Sequence, residues 1–123
     1  MKIVIGGQID KQEIAALVKA GLPDAVVDIK NDLDATMAMK KGSYDYYLGA
    51  CNTGGGGALA MALALLGKAK CATISMPGRI SSEKEIEDEV RSGKTAFGFT
   101  AQHKDQVVPL LIEILRKKEG GTL

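Results

Sequence analysis

A cysteine followed by small polar residues and glycines is the segment of this chain best suited to chemistry. Cys51, Asn52 and Thr53 precede four consecutive glycines, 54–57, and an almost wholly apolar stretch, 58–66. Glycines in series indicate a backbone that approaches another group closely. Because the run opens a predicted helix, its free N–H groups and the helix dipole favour an anion such as phosphate or carboxylate. We therefore expect a ligand site here, with Cys51 as a base or nucleophile, since this position favours the thiolate.

Further candidate ligand contacts follow other predicted strands. Arg79, after the fourth strand, is a candidate anion clamp, and His103, after the fifth, is a candidate acid or base. Both have a simpler interpretation as exposed surface residues. Cys51 is alternatively a small buried hydrophobe, and Asn52 and Thr53 can cap the helix instead of binding a ligand. The full set of predicted ligand contacts is Gly6, Gly7, Gln8, Asn52, Thr53, Gly54, Gly55, Gly56, Arg79 and His103.

The glycine run matches neither common nucleotide fingerprint. No Lys-Ser or Lys-Thr pair follows it, as in a Walker loop, and the first strand–helix turn, GGQIDK, lacks G-x-G-x-x-G. With 2 cysteines and 1 histidine in the chain, a transition-metal site is not expected. We therefore predict no metal and no nucleotide cofactor such as ATP or NAD.

Composition restricts the class of protein. The 123 residues fit one domain, predicted over residues 1–118, with a frayed tail over 119–123. The 16 basic residues balance 15 acidic ones and aromatic residues are scarce, so nucleic acid is not an expected partner. The apolar stretch 58–66 is shorter than the roughly 20 residues that span a bilayer, and the amino terminus has no signal-peptide pattern. We expect a cytoplasmic protein that does not insert into membranes.

Five strand-like runs alternate with helical patterns along the chain. They predict an α/β fold, a single-domain doubly wound parallel five-stranded sheet of the flavodoxin or Rossmann-like type with three αβα layers. The runs are 2–6, 25–29, 44–50, 71–75 and 95–99. The simplest strand order is 2-1-3-4-5. In that order the loops after strands 1 and 3 flank the crevice where such sheets bind ligands.

Local signals also predict the helices. Asp10 is the expected N-cap of the first helix, and Ser82 with Glu85 forms an expected capping box for the fourth. The second helix is predicted to turn Leu33 and Met37 toward the core. The third, 58–66, offers no polar face, so it is either sandwiched inside the domain or packed against a second subunit; we favour a homo-oligomer interface.

Two segments of the chain carry a family resemblance. They are YDYYLGACNTGGGGALAMALALLGKAKCATIS, over 44–75, and GKTAFGFTAQH, over 93–103. Together they resemble a small bacterial glycine-rich family of unknown function that includes the YhfU-like proteins. The resemblance covers nearly the whole chain. It implies a short cytoplasmic α/β protein associated with a transport or catabolic system, without an established activity.

The succession of a strand, C-x-T-G and an alanine-rich helix is also similar to the ribose-5-phosphate isomerase B and galactose-6-phosphate isomerase family. This resemblance implies that Cys51 is a proton-abstracting base and that 53–55 belong to a loop stabilising an enediolate. Asn52 stands where that family has its first loop glycine, and Gly7 and Gln8 stand where it has an Asp-His pair.

Three functions remain open on these residues. The main hypothesis is the binding of a small anionic metabolite, phosphorylated or carboxylated, without catalysis. The second is sugar-phosphate aldose–ketose isomerisation, or a related proton transfer, with Cys51 as the base. The third is a cytosolic component of a sugar transport system similar to the phosphotransferase B subunits, which carry their cysteine at the end of strand 1, where this chain has Gly6.

Overall fold

The computed structural model describes residues 1–52 and 55–123, so Thr53 and Gly54 lie outside the described residues. Strands and helices alternate along the chain. The strands are β1 (Lys2–Gly7), β2 (Val26–Ile29), β3 (Tyr46–Cys51), β4 (Cys71–Thr73), β5 (Ser75–Met76), β6 (Arg79–Ile80) and β7 (Ala96–Thr100). The helices are α1 (Lys11–Gly21), α2 (Asp32–Lys40), α3 (Gly55–Leu66), α4 (Glu83–Arg91) and α5 (Lys104–Glu119). Short 3₁₀ turns, Lys68–Lys70 and Ala101–His103, precede β4 and α5.

The parallel sheet has the order β2-β1-β3-β7-β4, and β5 pairs with β6 in a separate antiparallel hairpin. The predicted single-domain α/β fold with a five-stranded parallel sheet is therefore confirmed. The predicted order 2-1-3-4-5 is wrong in its last two strands, which are exchanged. β7 is buried along its whole length, whereas β4 is short and leads into the hairpin. A strand covered on both faces belongs inside a sheet, and a short strand suits its edge.

The helices divide between the two faces of the sheet. On one face α1, α4 and α5 pack over the larger core, which includes Ile5, Phe97 and Phe99. On the other face α2 and α3 pack over a smaller core, which includes Val4 and Tyr47. This confirms the three-layer αβα architecture. The helices after β1 and β3 lie on opposite faces, so these neighbouring strands form the topological switch point that the sequence predicted.

Three glycines lie side by side across the centre of the sheet, on the face that carries α2 and α3. We call Gly6, Gly49 and Gly98, which share one register in β1, β3 and β7, the glycine row. A Cβ at Gly49 would lie 2.7 Å from the Tyr47 hydroxyl oxygen, and one at Gly6 would overlap the ring of Tyr47. A Cβ at Gly98 would lie 2.5 Å from Cγ of Leu59. The glycine row therefore makes room for a tyrosine ring and lets α3 lie close to the sheet.

α2 turns different residues to the sheet from those predicted. Ala35 and Thr36 are fully buried, whereas Leu33 is 50% exposed and Met37 is 38% exposed. The prediction that Leu33 and Met37 face inward is therefore wrong. Because the ring of Tyr47 occupies the space beneath α2, only small side chains fit between this helix and the sheet.

The outer face of α3 is not covered by the other described residues. Leu63 is 42% exposed, and Ala60 and Ala64 are exposed beside it. The alternative in which this helix is sandwiched inside the domain is therefore wrong, because α3 belongs to an outer layer of the fold. Within the described residues, no helix combines the length and the apolar character that crossing a membrane requires.

Two predicted helix starts have different outcomes. The capping box of α4 is confirmed, because Ser82 and Glu85 each accept the other's backbone N–H. Asp10 is the N-cap of α1, but its side chain makes no capping bond, so the prediction of a side-chain cap is wrong. Its backbone is left-handed, with φ 56°, and its carboxylate lies 3.1 Å from the Lys104 ammonium instead. The Asp10 carboxylate therefore pairs with the charged Lys104 of α5 instead of accepting a backbone N–H of α1.

The residues after 118 make hydrogen bonds and packing contacts with the rest of the domain. α5 extends through Glu119, whose carboxylate accepts a 3.0 Å hydrogen bond from the Tyr46 hydroxyl. The Thr122 N–H donates to the Lys117 carbonyl oxygen at 2.9 Å, and Leu123 packs against the larger core.

Candidate functional site

The strands β1, β3 and β7 end at one edge of the sheet, here called the carboxyl edge. Cys51 ends β3 and Thr100 ends β7, and the two residues are partners in the parallel register. Side chains alternate along a strand, so Thr100 shares a face with Gly98, which lies beneath Leu59 of α3. Thr100 therefore faces α3, one pleat nearer to the start of that helix.

Cys51 lies beside the first turn of α3. The residue is 2% exposed, and a Cβ at Gly57 would lie 3.2 Å from its Sγ atom. The same Cβ would lie 3.2 Å from Nε2 of Gln8, which donates a long hydrogen bond of 3.4 Å to the Gly57 carbonyl oxygen. The thiol and the amide thus approach the same bare face of Gly57. The structure brings together two of the predicted site residues, Cys51 and Gln8.

The remaining predicted contacts near this turn are placed less fully. Asn52 is exposed at the end of β3. Gly55 and Gly56 belong to the first turn of α3, and Thr53 and Gly54 lie outside the described residues. Their roles as ligand contacts stay predictions.

Gly6 and Gly7 already have partners within the chain. Gly6 lies beneath the ring of Tyr47. Gly7 has φ +75°, and a Cβ there would lie 2.6 Å from the backbone nitrogen of Ala50. Its N–H donates to the Asp32 carboxylate at 2.9 Å. Contacts inside the protein therefore account for both glycines.

Asp32 and Tyr47 form a polar contact that the sequence analysis missed. The Tyr47 hydroxyl hydrogen bonds to the Asp32 carboxylate and lies 3.1 Å from the Ala58 carbonyl oxygen. Burial raises the pKa of the Tyr47 hydroxyl well above its ordinary value, and the adjacent carboxylate raises this pKa further. A tyrosine inside an apolar strand needs a partner for its hydroxyl, and this was the available signal in the sequence.

Two buried side-chain atoms after β7 have no hydrogen-bond partner among the described residues. They are Oγ1 of Thr100 and Nδ1 of His103. Thr100 is 2% exposed, and its backbone N–H donates to Oγ of Ser75 at 3.0 Å, whereas its hydroxyl has no partner within 1–52 and 55–123. Buried polar groups normally have partners because leaving one unpaired costs free energy. Sequence reasoning identified His103 but missed Thr100, since a threonine that ends an apolar strand has the expected strand propensity.

Two cations near this region are each paired with a carboxylate. Arg79 lies in the β5–β6 hairpin, with its guanidinium 2.6 Å from Glu85 of α4. The Lys104 ammonium donates a hydrogen bond to the Asp10 carboxylate, and this bond raises the pKa of Lys104. Arg79 is thus joined to α4, and its role as an anion clamp stays a prediction.

The side chains that bind metals are dispersed in this fold. Within residues 1–52 and 55–123, no three His, Cys, Asp or Glu side chains lie close enough together to hold a metal ion. Both cysteines are buried and neither is in a disulfide. Cys71 lies in the smaller core, where burial raises the pKa of its thiol.

The fold defines a single-domain parallel α/β protein with a topological switch point between its central strands β1 and β3. The chain belongs to the family described as "Protein of unknown function DUF2620", whose sequence model matches residues 1–115. It is 39% identical over 116 residues to the uncharacterised protein YhfU of Escherichia coli strain K12, covering 94% of this chain and 98% of that protein. YhfU of Shigella flexneri has the same identity and coverage. The predicted family is confirmed.

A solved structure has a similar fold. The type B ribose 5-phosphate isomerase from Trypanosoma cruzi matches with a TM-score of 0.65 over 99% of this chain and 96% of that chain. The two sequences are 10% identical, so the likeness shows the fold alone. The resemblance to this isomerase family is confirmed at that level.

Proposed function

We propose that this protein binds a small anionic metabolite, phosphorylated or carboxylated, at the carboxyl edge beside the start of α3. The observation that carries the proposal is the convergence of the Cys51 thiol and the Gln8 amide on the bare face of Gly57. The first N–H groups of a helix have no intrahelical partners, and the dipole of this 12-residue helix favours negative charge there. A ligand oxygen would therefore meet amide donors on two sides.

The charges around the site support binding through backbone amides. Lys104 is neutralised by Asp10, and Arg79 is neutralised by Glu85. An anion would thus depend on the start of α3 more than on either of these side chains. Binding through the backbone amides of one helix start suits a small ligand that is held by its anionic group.

A thermal-shift titration tests the binding proposal. Wild type, Cys51→Ser and the control Cys71→Ala are titrated with inorganic phosphate, sn-glycerol 3-phosphate, D-ribose 5-phosphate and lactate. A ligand of the folded state at 100 times its Kd adds about 2.7 kcal/mol of stability, so a saturable rise in melting temperature is expected for at least one probe. Equal, unsaturable responses to all four probes would contradict the proposal.

The second candidate function is aldose–ketose isomerisation with Cys51 as the base. It is favoured by the likeness to the type B isomerase fold together with the position of Cys51 at the end of β3. In this reaction the thiolate removes the proton from the carbon beside the carbonyl. The Gln8 amide N–H would stabilise the enediolate that forms; the hydroxyl proton passes from O2 to O1, and the thiol returns its proton to the neighbouring carbon.

Incorporation of solvent deuterium into D-ribose 5-phosphate distinguishes the two functions. An isomerase should exchange the hydrogen at C2, and Cys51→Ser should slow this exchange by about 10²- to 10⁴-fold, the usual contribution of a general base. A binding protein should tolerate serine at position 51 and exchange nothing. Saturable binding of D-ribose 5-phosphate without deuterium exchange would therefore exclude the isomerase function.

Location and assembly complete the proposal. We propose that the protein is cytoplasmic, where its two buried cysteines would remain reduced thiols. We also propose that it forms a homo-oligomer through the outer face of α3.

The transport component ranks lowest, because Gly6, where the phosphotransferase B subunits have cysteine, is covered by the Tyr47 ring.

A further inference from the structure

At the carboxyl end of β7 and in the turn that follows it, two buried polar atoms lack a hydrogen-bond partner among the described residues. We propose that Thr100 is a ligand-binding residue whose hydroxyl, with Nδ1 of His103, binds hydroxyl groups of the metabolite. The ligand is then a hydroxylated anion, such as a polyol phosphate or a hydroxycarboxylate, in preference to inorganic phosphate or a simple carboxylate. This inference rests on the proposed function, which supplies the anion site at the start of α3.

The position of Thr100 follows from the sheet register. Its register partner is Cys51, and it shares a face with Gly98, which lies under Leu59. Thr100 lies two residues further along β7, beneath the residues that precede Leu59 in the first turn of α3. Thr100 and Cys51 therefore stand beside each other below the proposed anion site.

The chemistry of the unpaired atoms indicates what they bind. Helix amides only donate hydrogen bonds, which suits an anionic oxygen. The hydroxyl of Thr100 both donates and accepts, and a neutral imidazole nitrogen does one or the other. A ligand hydroxyl has the same double capacity. The unpaired atoms Oγ1 of Thr100 and Nδ1 of His103 thus complement hydroxyls, while α3 complements the anion.

Another buried threonine shows what a structural hydroxyl does in this fold. Thr36 is 0% exposed, and its hydroxyl donates to the Asp32 carbonyl oxygen at 2.9 Å. The Thr100 hydroxyl is also enclosed but has no such partner in the part of the chain that the structure describes. Replacing each residue by valine keeps the shape of the side chain and removes only the hydroxyl. The two variants therefore separate a ligand-binding hydroxyl from a structural one.

The test compares Thr100→Val and Thr36→Val without ligand and with two probes, sn-glycerol 3-phosphate and propyl phosphate, which lacks hydroxyls. Thr100→Val should melt at or above the wild-type temperature, because it removes an unpaired buried polar atom. Thr36→Val should melt several degrees lower, about 4 °C, because it loses a hydrogen bond. Wild type and Thr36→Val should bind glycerol 3-phosphate about tenfold more tightly than propyl phosphate, and Thr100→Val should lose this preference.

The outcomes separate this inference from the proposed function. A Thr100→Val variant that melts as low as Thr36→Val, or that keeps the tenfold preference, would overturn the ligand role of Thr100 alone. Failure of the wild type to bind either phosphate, together with no saturable response to lactate, would overturn the proposed function, and this inference with it. Loss of the preference with unchanged binding of propyl phosphate would support both.

Discussion

Tyr47 connects the parts of the interior that lie next to the candidate site. Its ring lies over Gly6 and Gly49 of the glycine row, and its hydroxyl bonds to the Asp32 carboxylate. That carboxylate also accepts the N–H of Gly7. One buried phenol thus links β3 to the turn after β1 and to the start of α2. Removing a donor from a partly buried carboxylate leaves a desolvation cost that nothing offsets.

Tyr47→Phe is expected to lower the free energy of unfolding by about 1–3 kcal/mol, because it keeps the ring and removes the hydroxyl. Tyr44→Phe is the matched control, since the Tyr44 hydroxyl bonds to Asp28 at the exposed surface. It should change the free energy by about 0.5 kcal/mol or less. Urea unfolding at neutral pH measures both values, and equal effects would contradict the role assigned to Tyr47.

Tyr47→Phe should also change how the stability of the protein depends on alkaline pH. The pKa of the Tyr47 hydroxyl is raised from its ordinary 10.0 in the folded state, first by burial and then by Asp32. The hydroxyl therefore stays protonated in the native protein while it ionises in the unfolded chain. Its contribution to stability is complete below pH 10 and is lost as the pH rises further. Between about pH 9 and pH 11, wild type should lose stability more steeply than Tyr47→Phe.

α3 is positioned by a close approach to the sheet. Leu59 sits on Gly98, and Gly57, two residues earlier, adjoins Cys51 and Gln8. These contacts lie within one helical turn. The packing of Leu59 against Gly98 therefore determines how far the first turn of α3 lies from the Cys51 thiol. The glycine row is thus a requirement of the site as well as of the core.

Gly98→Ala should lower the free energy of unfolding by about 1–3 kcal/mol, because its Cβ would lie 2.5 Å from Cγ of Leu59. Gly120→Ala is the control, since Gly120 has φ −81° and a Cβ there meets no atom nearer than 3.4 Å. The control should stay within about 0.5 kcal/mol of wild type. Thermal unfolding compares the two, and a Gly98→Ala variant as stable as Gly120→Ala would refute the close approach.

The two faces of the domain differ in how well they are covered. α2 and α3 pack side by side and expose Leu33, Met37 and Leu63, which together we call the α2–α3 apolar surface. Apolar residues exposed singly are ordinary, but neighbouring ones indicate an interface. The proposed self-association would bury this surface.

Leu63→Lys should shift the protein toward monomer, because it places a charge in the α2–α3 apolar surface. Ile80→Lys is the control, since Ile80 is 40% exposed in the β5–β6 hairpin, away from that surface. Sedimentation velocity over a range of concentrations measures the effect. A wild type that is monomeric throughout, or a Leu63→Lys variant with unchanged mass, would exclude this interface.

The features that sequence analysis predicted correctly depend on neighbours in the chain. The capping box of α4 joins Ser82 to Glu85, three residues apart, so its pattern is complete in a short segment. Apolar runs between helical patterns indicated the parallel sheet, and Cys51 was placed at a strand end by the same local reasoning. The family resemblance also rests on contiguous motifs, and it was confirmed.

The features that only the tertiary structure decided depend on residues far apart in the chain. The order of the last two strands depends on which strand is covered on both faces, and the inward residues of α2 depend on the ring of Tyr47. Asp10 pairs with Lys104, a residue 94 positions away that no capping pattern contains. The hydroxyl of Thr100, which lacks a partner among the residues that the structure describes, is the clearest case. Whether a polar atom has a partner is settled only when every surrounding segment is in place, because hydrogen bonding is a property of contacts in space.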